Sequence, residues 1–483
     1  MNKPGISLSF LLCTFIGLNL GCKTGVRENA TQEANALKNV VFILVDDLGW
    51  NDLGVYGSTF HETPNLDRLA AESTLFTHAY TPNPVCSPTR AAIMSGKYPS
   101  RVGITDWIPG NMPQDKKLLG PPIRNELALD EVTLAESLRS HGYQTFFAGK
   151  WHLGEEGHYP EDQGFMINKG GHDKGSPPGG YYSPYKNPKL TDGPEGEYLT
   201  DRLTDESINF LRTHQEDPFL LYLSFYTVHT PIQADRASIE KFTAKQKAMG
   251  LDGEAELSPE HDVFTRVVQS NADYASMVNA MDRNVGRLLD TLEELGLKEN
   301  TLVVFTSDNG GLSTLFPGRT APTSVRPLRA GKGWLYEGGL RVPLIIRSPY
   351  MHGQRIHPPV VSMDLYPTVL DLLGLPLQPE QHMDGKSLKP LLKGEVGSVH
   401  ESLFYHYPHY HGSGWRPGTA VRHGDWKLIY FYETDQYELY NLAEDEEEQH
   451  ELSEQHPEKL AELKSELEHW LTETGSLTPT VNH

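Results

Sequence analysis

Four short apolar runs stand out along the chain, and each ends in polar residues capable of chemistry. Val40–Val45 leads into Asp46-Asp47, and Tyr143–Ala148 leads into Gly149-Lys150-Trp151-His152. Phe219–Val228 leads into His229-Thr230-Pro231, and Thr301–Thr306 into Ser307-Asp308-Asn309-Gly310. None of the runs alternates apolar with polar positions, so each reads as a strand covered on both faces, the condition of a parallel sheet. Ligands of open α/β sheets bind beyond the carboxyl ends of the strands. Four polar clusters at four such ends therefore predict one shared site.

Between the runs the apolar spacing changes to that of a helix. Tyr274, Met277, Val278, Met281, Val285, Leu288, Leu289 and Leu292 predict a long amphipathic helix that stops at Gly296, and Thr133–His141 predicts a shorter one ended by Gly142. The alternation is that of a βαβα fold with a mainly parallel sheet. Beyond about residue 395 the texture changes. Ser402–Tyr407, Thr419–Arg422, Trp426–Tyr432 and Gln436–Leu442 read as short strands joined by turns, and Pro457–Thr472 as a closing helix. The predicted organisation is a catalytic α/β domain over 38–394 and a small α+β subdomain over 395–483.

The N-terminus follows a different rule. A short apolar stretch, Ile6–Leu20, lies between Lys3 and Gly21-Cys22, and a polar run follows. That is an export signal rather than a spanning helix. Gly21-Cys22 resembles a bacterial lipobox in which Cys22 is lipidated, although Asn19 departs from the aliphatic residue usual there. The reading is an export segment at 1–22, a polar tether at 23–37, and a destination in the periplasm or on the outer membrane of a Gram-negative cell, with the lipid as the only membrane contact. The net charge of −22 argues against nucleic acid or an anionic membrane surface as partner. An anionic substrate would need a local basic pocket.

Of the 3 cysteines, Cys13 and Cys22 fall in the export segment, so Cys86 has no intramolecular disulfide partner in the mature domain. It opens Cys86-Ser87-Pro88-Thr89-Arg90, followed by a helix-like run, and a helix N-terminus beside a guanidinium is an anion site. The segment from Cys86 to Gly96 resembles the C-x-P-x-R maturation motif of the type I, formylglycine-dependent sulfatases, and the resemblance extends over roughly 38–475. It implies an alkaline-phosphatase-like fold: a large mixed, mainly parallel sheet sandwiched by helices, with a smaller C-terminal antiparallel sheet plus helix. It also implies a partner, a formylglycine-generating or anaerobic sulfatase-maturating enzyme that oxidises Cys86 to an aldehyde (3-oxoalanine). One hydroxyl of the hydrated aldehyde attacks sulfur, and deprotonation of the other releases sulfate, so no sulfated side chain is left for water to attack.

Asp46-Asp47 and Asp308-Asn309 offer only oxygen ligands, which suit a hard cation such as Ca²⁺ and not zinc. The resemblance assigns these four residues and the modified Cys86 to one calcium. It places Lys150 on the sulfate, His152 on the formylglycine hydroxyl, and His229 and Lys332 at the ester oxygen, where they protonate or polarise the leaving alcohol. Arg90 is expected to brace the formylglycine and a metal-ligating Asp. A sulfate monoester gathers charge on its leaving oxygen as S–O breaks, so cations and a proton donor belong there.

Two loops are candidates for substrate choice. Gly171–Tyr182 carries His172 and Asp173, and His406–Arg416 carries His409, His411 and Arg416. Their aromatic and hydrogen-bonding side chains suit a sugar ring, and they equally suit an ordinary ordered loop. Resemblance to bacterial galactose-type sulfatases points to a sulfated saccharide with O4-sulfated galactose or N-acetylgalactosamine at a chain end. Esters at O6 or O2, formylglycine-dependent phosphodiester or phosphonate hydrolysis, and a lipid-anchored glycan-binding protein without catalysis are the alternatives.

Overall fold

The computed structural model describes Met1 and residues 37–315, 320–350 and 352–483. The expectations for the export segment, Cys22 and the tether up to residue 36 lie outside the described residues. Among the described residues, no helix is long and apolar enough to cross a membrane.

The apolar runs form the middle of one large sheet. Its strands are β1 (Asn39–Val45), β2 (Thr74–Tyr80), β3 (Gln144–Gly149), β4 (Ile167–Lys169), β5 (Phe219–Ser224), β6 (Thr301–Ser307), β7 (Arg341–Arg347), β8 (Gln354–Ile356) and β9 (Val360–Val361). The order is β8-β2-β7-β6-β1-β5-β3-β4, with β9 also on β2. Every pairing is parallel except those of β7, which runs against both β2 and β6.

Side chains alternate across each strand, so β1 feeds two cores. Val41, Ile43 and Val45 pack with α1 (Pro64–Ala71), α4 (Leu199–Thr213) and α5 (Ala272–Glu294). Val40, Phe42 and Leu44 pack with α2 (Cys86–Ser95), α3 (Leu134–Ser140) and α6 (Leu365–Leu372). Thr133, expected inside the shorter helix, is its cap: Thr133 Oγ1 accepts from Glu136 N at 3.1 Å, and Glu136 Oε2 accepts from Thr133 N at 2.8 Å.

One strand is shorter than its apolar run. β5 ends at Ser224, and Phe225–Val228 continues beside β1 with isolated bonds, Phe225 N to Leu44 O at 2.9 Å and Val228 N to Asp46 O at 2.7 Å. The apolar pattern persists because the segment stays buried. Its backbone turns at Tyr226 O, which accepts from His229 N, and this sets His229 at the sheet end.

The C-terminal part is an antiparallel sheet of β10 (Ser402–Tyr407), β11 (Gly418–His423), β12 (Trp426–Phe431) and β13 (Gln436–Asn441), closed by α7 (Pro457–Glu473). Leu463, Leu467 and Trp470 of α7 share a core with Tyr80, Val85, Tyr98, Trp334 and Tyr336 of the preceding region. Residues Leu37–His483 form one compact unit, and this shared core is how the two textures of the sequence are joined.

Candidate active site

The ends of β1, β3, β5 and β6 converge as the strand pattern predicts, and the amino end of α2 faces them. Asp46 and Asp47 follow β1, and Asp308 and Asn309 follow β6. Asp308 Oδ1 accepts from Asp47 N at 3.1 Å, which locks the two strand ends together. At the end of β3, Gly149 has φ +108, and a Cβ there would lie 1.7 Å from Ser224 O. Only glycine fits this approach, and it aims Lys150 at Asp46.

Cys86 is the first residue of α2 and is buried. Lys332 Nζ lies 3.4 Å from its Sγ and donates to Asp47 Oδ1 at 2.6 Å. Burial pushes the Cys86 thiol up to about 11, with Lys150 and Lys332 opposing. An unmodified thiol here stays protonated at neutral pH and is a poor nucleophile.

Arg90 lies one turn along α2. Its Nε donates to Asp308 Oδ2 at 2.8 Å, and its Nη1 donates to Lys150 O and Ser224 Oγ, each at 2.7 Å. The guanidinium is thus spent on the protein and does not line the cavity. Lys150 Nζ donates to both Asp46 oxygens, at 2.9 and 2.8 Å, and is fully buried. Lys150, read from sequence as a sulfate contact, is paired with Asp46 here and is not among the residues lining the cavity.

The two imidazoles have opposite tautomers. His152 Nε2 lies 2.6 Å from Ile108 O and donates to it, and Nδ1 is buried without a partner. His229 Nδ1 donates to Thr230 O at 2.7 Å, leaving Nε2 as an acceptor 3.7 Å from Asp47 Oδ2. Burial lowers both, with Lys150 adding to the effect on His152 and Lys332 to that on His229, which falls to about 3. Both rings are neutral.

The oxygen-rich pocket fits a hard cation. Asn309 donates through Nδ2 to Asp47 Oδ1 at 2.8 Å, and its Oδ1 is a buried acceptor with no partner. Burial, with Asp308 and Asp47 adding to it against Lys150, pushes the Asp46 carboxyl up to about 8. An acceptor without a donor and a carboxyl disfavouring its own charge are the conditions a divalent ion relieves. Among the described residues, Asp46, Asp47, Cys86 and His229 offer ligand atoms that all lie within 4.8 Å of one another. Asp308 directs one oxygen to Arg90 and the other to the Asp47 amide.

Cys86, His152, His229 and Lys332 open onto a cavity of about 430 Å³. Trp107, Ile108, Pro109, Asn125, Glu155, Asp173–Ser176 and, from the C-terminal part, His411 also line it. Three of the candidate saccharide contacts lie elsewhere. His172 is buried, with Nε2 3.2 Å from Tyr226 Oη. His409 is buried, with Nε2 2.9 Å from Thr105 Oγ1. Arg416 pairs with Asp262 outside the cavity. These three are positioned by packing and ion pairing, and only Asp173 and His411 reach the cavity. Trp107, Asn125 and Glu155 escaped the sequence reading. Trp107 alone carries a local signal, an aromatic in a segment rich in proline and glycine.

A buried cysteine at a helix amino end, facing ammonium groups and an oxygen-lined metal pocket at the ends of a parallel sheet, defines a hydrolase of anionic esters. The chain matches the sulfatase family model over residues 38–375 and the C-terminal model of N-sulphoglucosamine sulphohydrolase over 330–476. It is 33% identical to a sulfatase of Formosa agariphila, covering 86% of this chain and 84% of that protein. It is 34% identical to arylsulfatase A of Homo sapiens, covering 81% and 75%. The crystal structure of Ps i-CgsB in complex with k-i-k-neocarrahexaose superposes with a TM-score of 0.72 at 30% identity, covering 90% of this chain and 92% of that one. The chain belongs to the sulfatase family and is a sulfuric ester hydrolase.

Proposed function

We propose that the protein is an exo-acting carbohydrate sulfatase that removes sulfate from O4 of a terminal galactose or N-acetylgalactosamine, with Cys86 matured to formylglycine. The observation that carries this reading is the cavity lined by Cys86, Lys332, His229 and His152 together with residues from both parts of the chain. The likeness to a saccharide-bound sulfatase supports a sugar as the alcohol, and a cavity of about 430 Å³ lined from both parts of the chain favours a chain end over an internal residue.

Calcium held by Asp46, Asp47, Asp308, Asn309 and the modified Cys86 would orient the sulfate and offset its developing charge. The hydrated aldehyde would supply one hydroxyl to attack sulfur and a second whose deprotonation releases sulfate. His152 Nδ1, free because Nε2 is committed to Ile108 O, is the base that takes a hydroxyl proton. Lys332 presents a fixed positive charge beside the reacting atoms, since Asp47 and Cys86 raise it despite burial. His229 Nε2 is unprotonated in the free protein; with ester bound it would take a proton from solvent and pass it to the leaving oxygen. Burial and, after it, the Lys332 charge keep this ring neutral, and a bound anionic ester opposes the Lys332 charge.

Cys86 is only 2% exposed, so the maturing enzyme would act before the chain folds. Export through residues 1–22, with lipid on Cys22, completes the reading and is checked by mass spectrometry of the mature N-terminus. The functional test is sulfate release from defined sulfated saccharides by matured protein. Terminal O4-sulfated galactose or N-acetylgalactosamine should react fastest, and Cys86→Ala should be inert. Faster turnover of phosphate or phosphonate esters would overturn the substrate class, and equal release of internal sulfates would overturn the exo mode.

A further inference from the structure

Among the side chains at the cavity, His411 has no part in the chemistry above, and its surroundings fix what it offers. Ser413 N lies 3.2 Å from His411 Nδ1, and a backbone N–H only donates, so Nδ1 is the acceptor; Ser413 Oγ lies 2.8 Å from the same atom. The ring proton is therefore on Nε2. Nε2 has no hydrogen-bond partner among the described residues, and it is not sealed in the interior, because His411 lines the cavity. The ring is also held in place. Gly333 follows Lys332 at φ +84, and a Cβ there would lie 2.1 Å from His411 Nδ1, so a bare backbone lets the imidazole pack directly against the turn carrying Lys332.

We infer that His411 is a specificity residue that donates its Nε2–H to an oxygen of the sugar bearing the ester, on the Lys332 side of the cavity. This rests on the carbohydrate reading above and adds the group that recognises the sugar rather than the sulfate. The acceptor is a hydroxyl, ring or glycosidic oxygen, which a saccharide has and a simple aryl sulfate lacks. Burial and the Lys332 charge lower the ring to about 3, so it remains a neutral donor across the working pH range. A fixed neutral donor discriminates by leaving itself unpaired when the partner oxygen is missing.

The experiment compares His411→Ala and His411→Gln with the wild type on a terminal O4-sulfated galactoside and on 4-nitrophenyl sulfate, after maturation and a melting-temperature check. With His411→Ala, kcat/KM on the saccharide should fall about tenfold or more and on the aryl ester less than about threefold. His411→Gln, which retains a donor, should recover part of the saccharide loss, and neither variant should move the pH profile. Equal losses on both substrates, a displaced pH profile, or unchanged saccharide turnover would overturn this role. If the wild type hydrolysed the aryl ester but no saccharide, the carbohydrate reading would fail and take this role with it.

Discussion

Asn309 shows how one atom can define a residue's role. Its Nδ2 is committed to Asp47 Oδ1 and Gly310 O, and its Oδ1 is buried with no donor. A buried acceptor left unpaired costs on the order of 1–3 kcal/mol, which a bound cation recovers. Ca²⁺ should therefore raise the melting temperature of chelator-stripped protein, by the equivalent of about 2.7 kcal/mol at a hundred times its Kd. Asn309→Ala should lose most of that rise, in a thermal scan that needs no turnover. A rise with Zn²⁺ and none with Ca²⁺ would contradict the oxygen-ligand assignment.

At the scale of elements, a buried histidine links β10 to the tail after α7. His406 Nε2 lies 2.9 Å from Leu477 O, and burial lowers the ring from 6.5 to about 4, with the Leu477 carbonyl opposing. A lowered histidine is neutral in the fold and takes a proton on unfolding. Its contribution is therefore complete above pH 6.5 and is lost as pH falls towards 4, amounting to about 2 kcal/mol by pH 5. His406→Gln should flatten the fall in urea stability between pH 7 and 5. An unchanged slope would show that another group carries it. The same loop shows where the sequence was legible. β1, β3 and β6 were readable because strands covered on both faces admit only apolar residues, and their polar ends marked the floor of the site. The rim was not readable. Whether His409 packs inward or His411 opens to the cavity depends on Thr105 and Gly333, both distant in the chain, and local pattern carries no trace of either. Lys150 and Arg90 were identified by motif, but their partners, Asp46 and Ser224, come from other strands.

At the scale of the whole molecule, a buried charge cluster joins the large sheet to the C-terminal sheet. Lys427 of β12 reaches Glu337 Oε1 at 3.0 Å, just before β7, and lies 2.8 Å from Glu448 Oε1 beyond β13 as an ion pair without hydrogen-bond alignment. Tyr80 at the end of β2 donates to Glu337 Oε2 at 2.6 Å, and Glu337 N donates to Glu448 Oε2 at 2.7 Å. Two carboxyls thus share one ammonium. Burial pushes both up, and the balance of Lys427 and the nearby arginines holds Glu337 below the ordinary range while Glu448 stays above it. A raised carboxyl is protonated in the fold, so its contribution is complete below the unfolded value of 4.5 and is lost as pH rises towards about 7, opposite in sign to that of His406. Removing the ammonium is the severe change. Lys427→Met strands two buried carboxyls and should cost about 3–5 kcal/mol at pH 7, read from the shift in denaturation midpoint. Adding Glu448→Gln to Lys427→Met should recover part of the loss, because the cost of protonating the buried Glu448 at pH 7 is gone, and Glu448→Gln alone should flatten the pH dependence between 4.5 and 7. The partial recovery separates charge from packing: if the double variant were no more stable than Lys427→Met, the loss would come from the missing side-chain volume, and the cluster would not be what holds the C-terminal sheet, and with it His411, over the cavity.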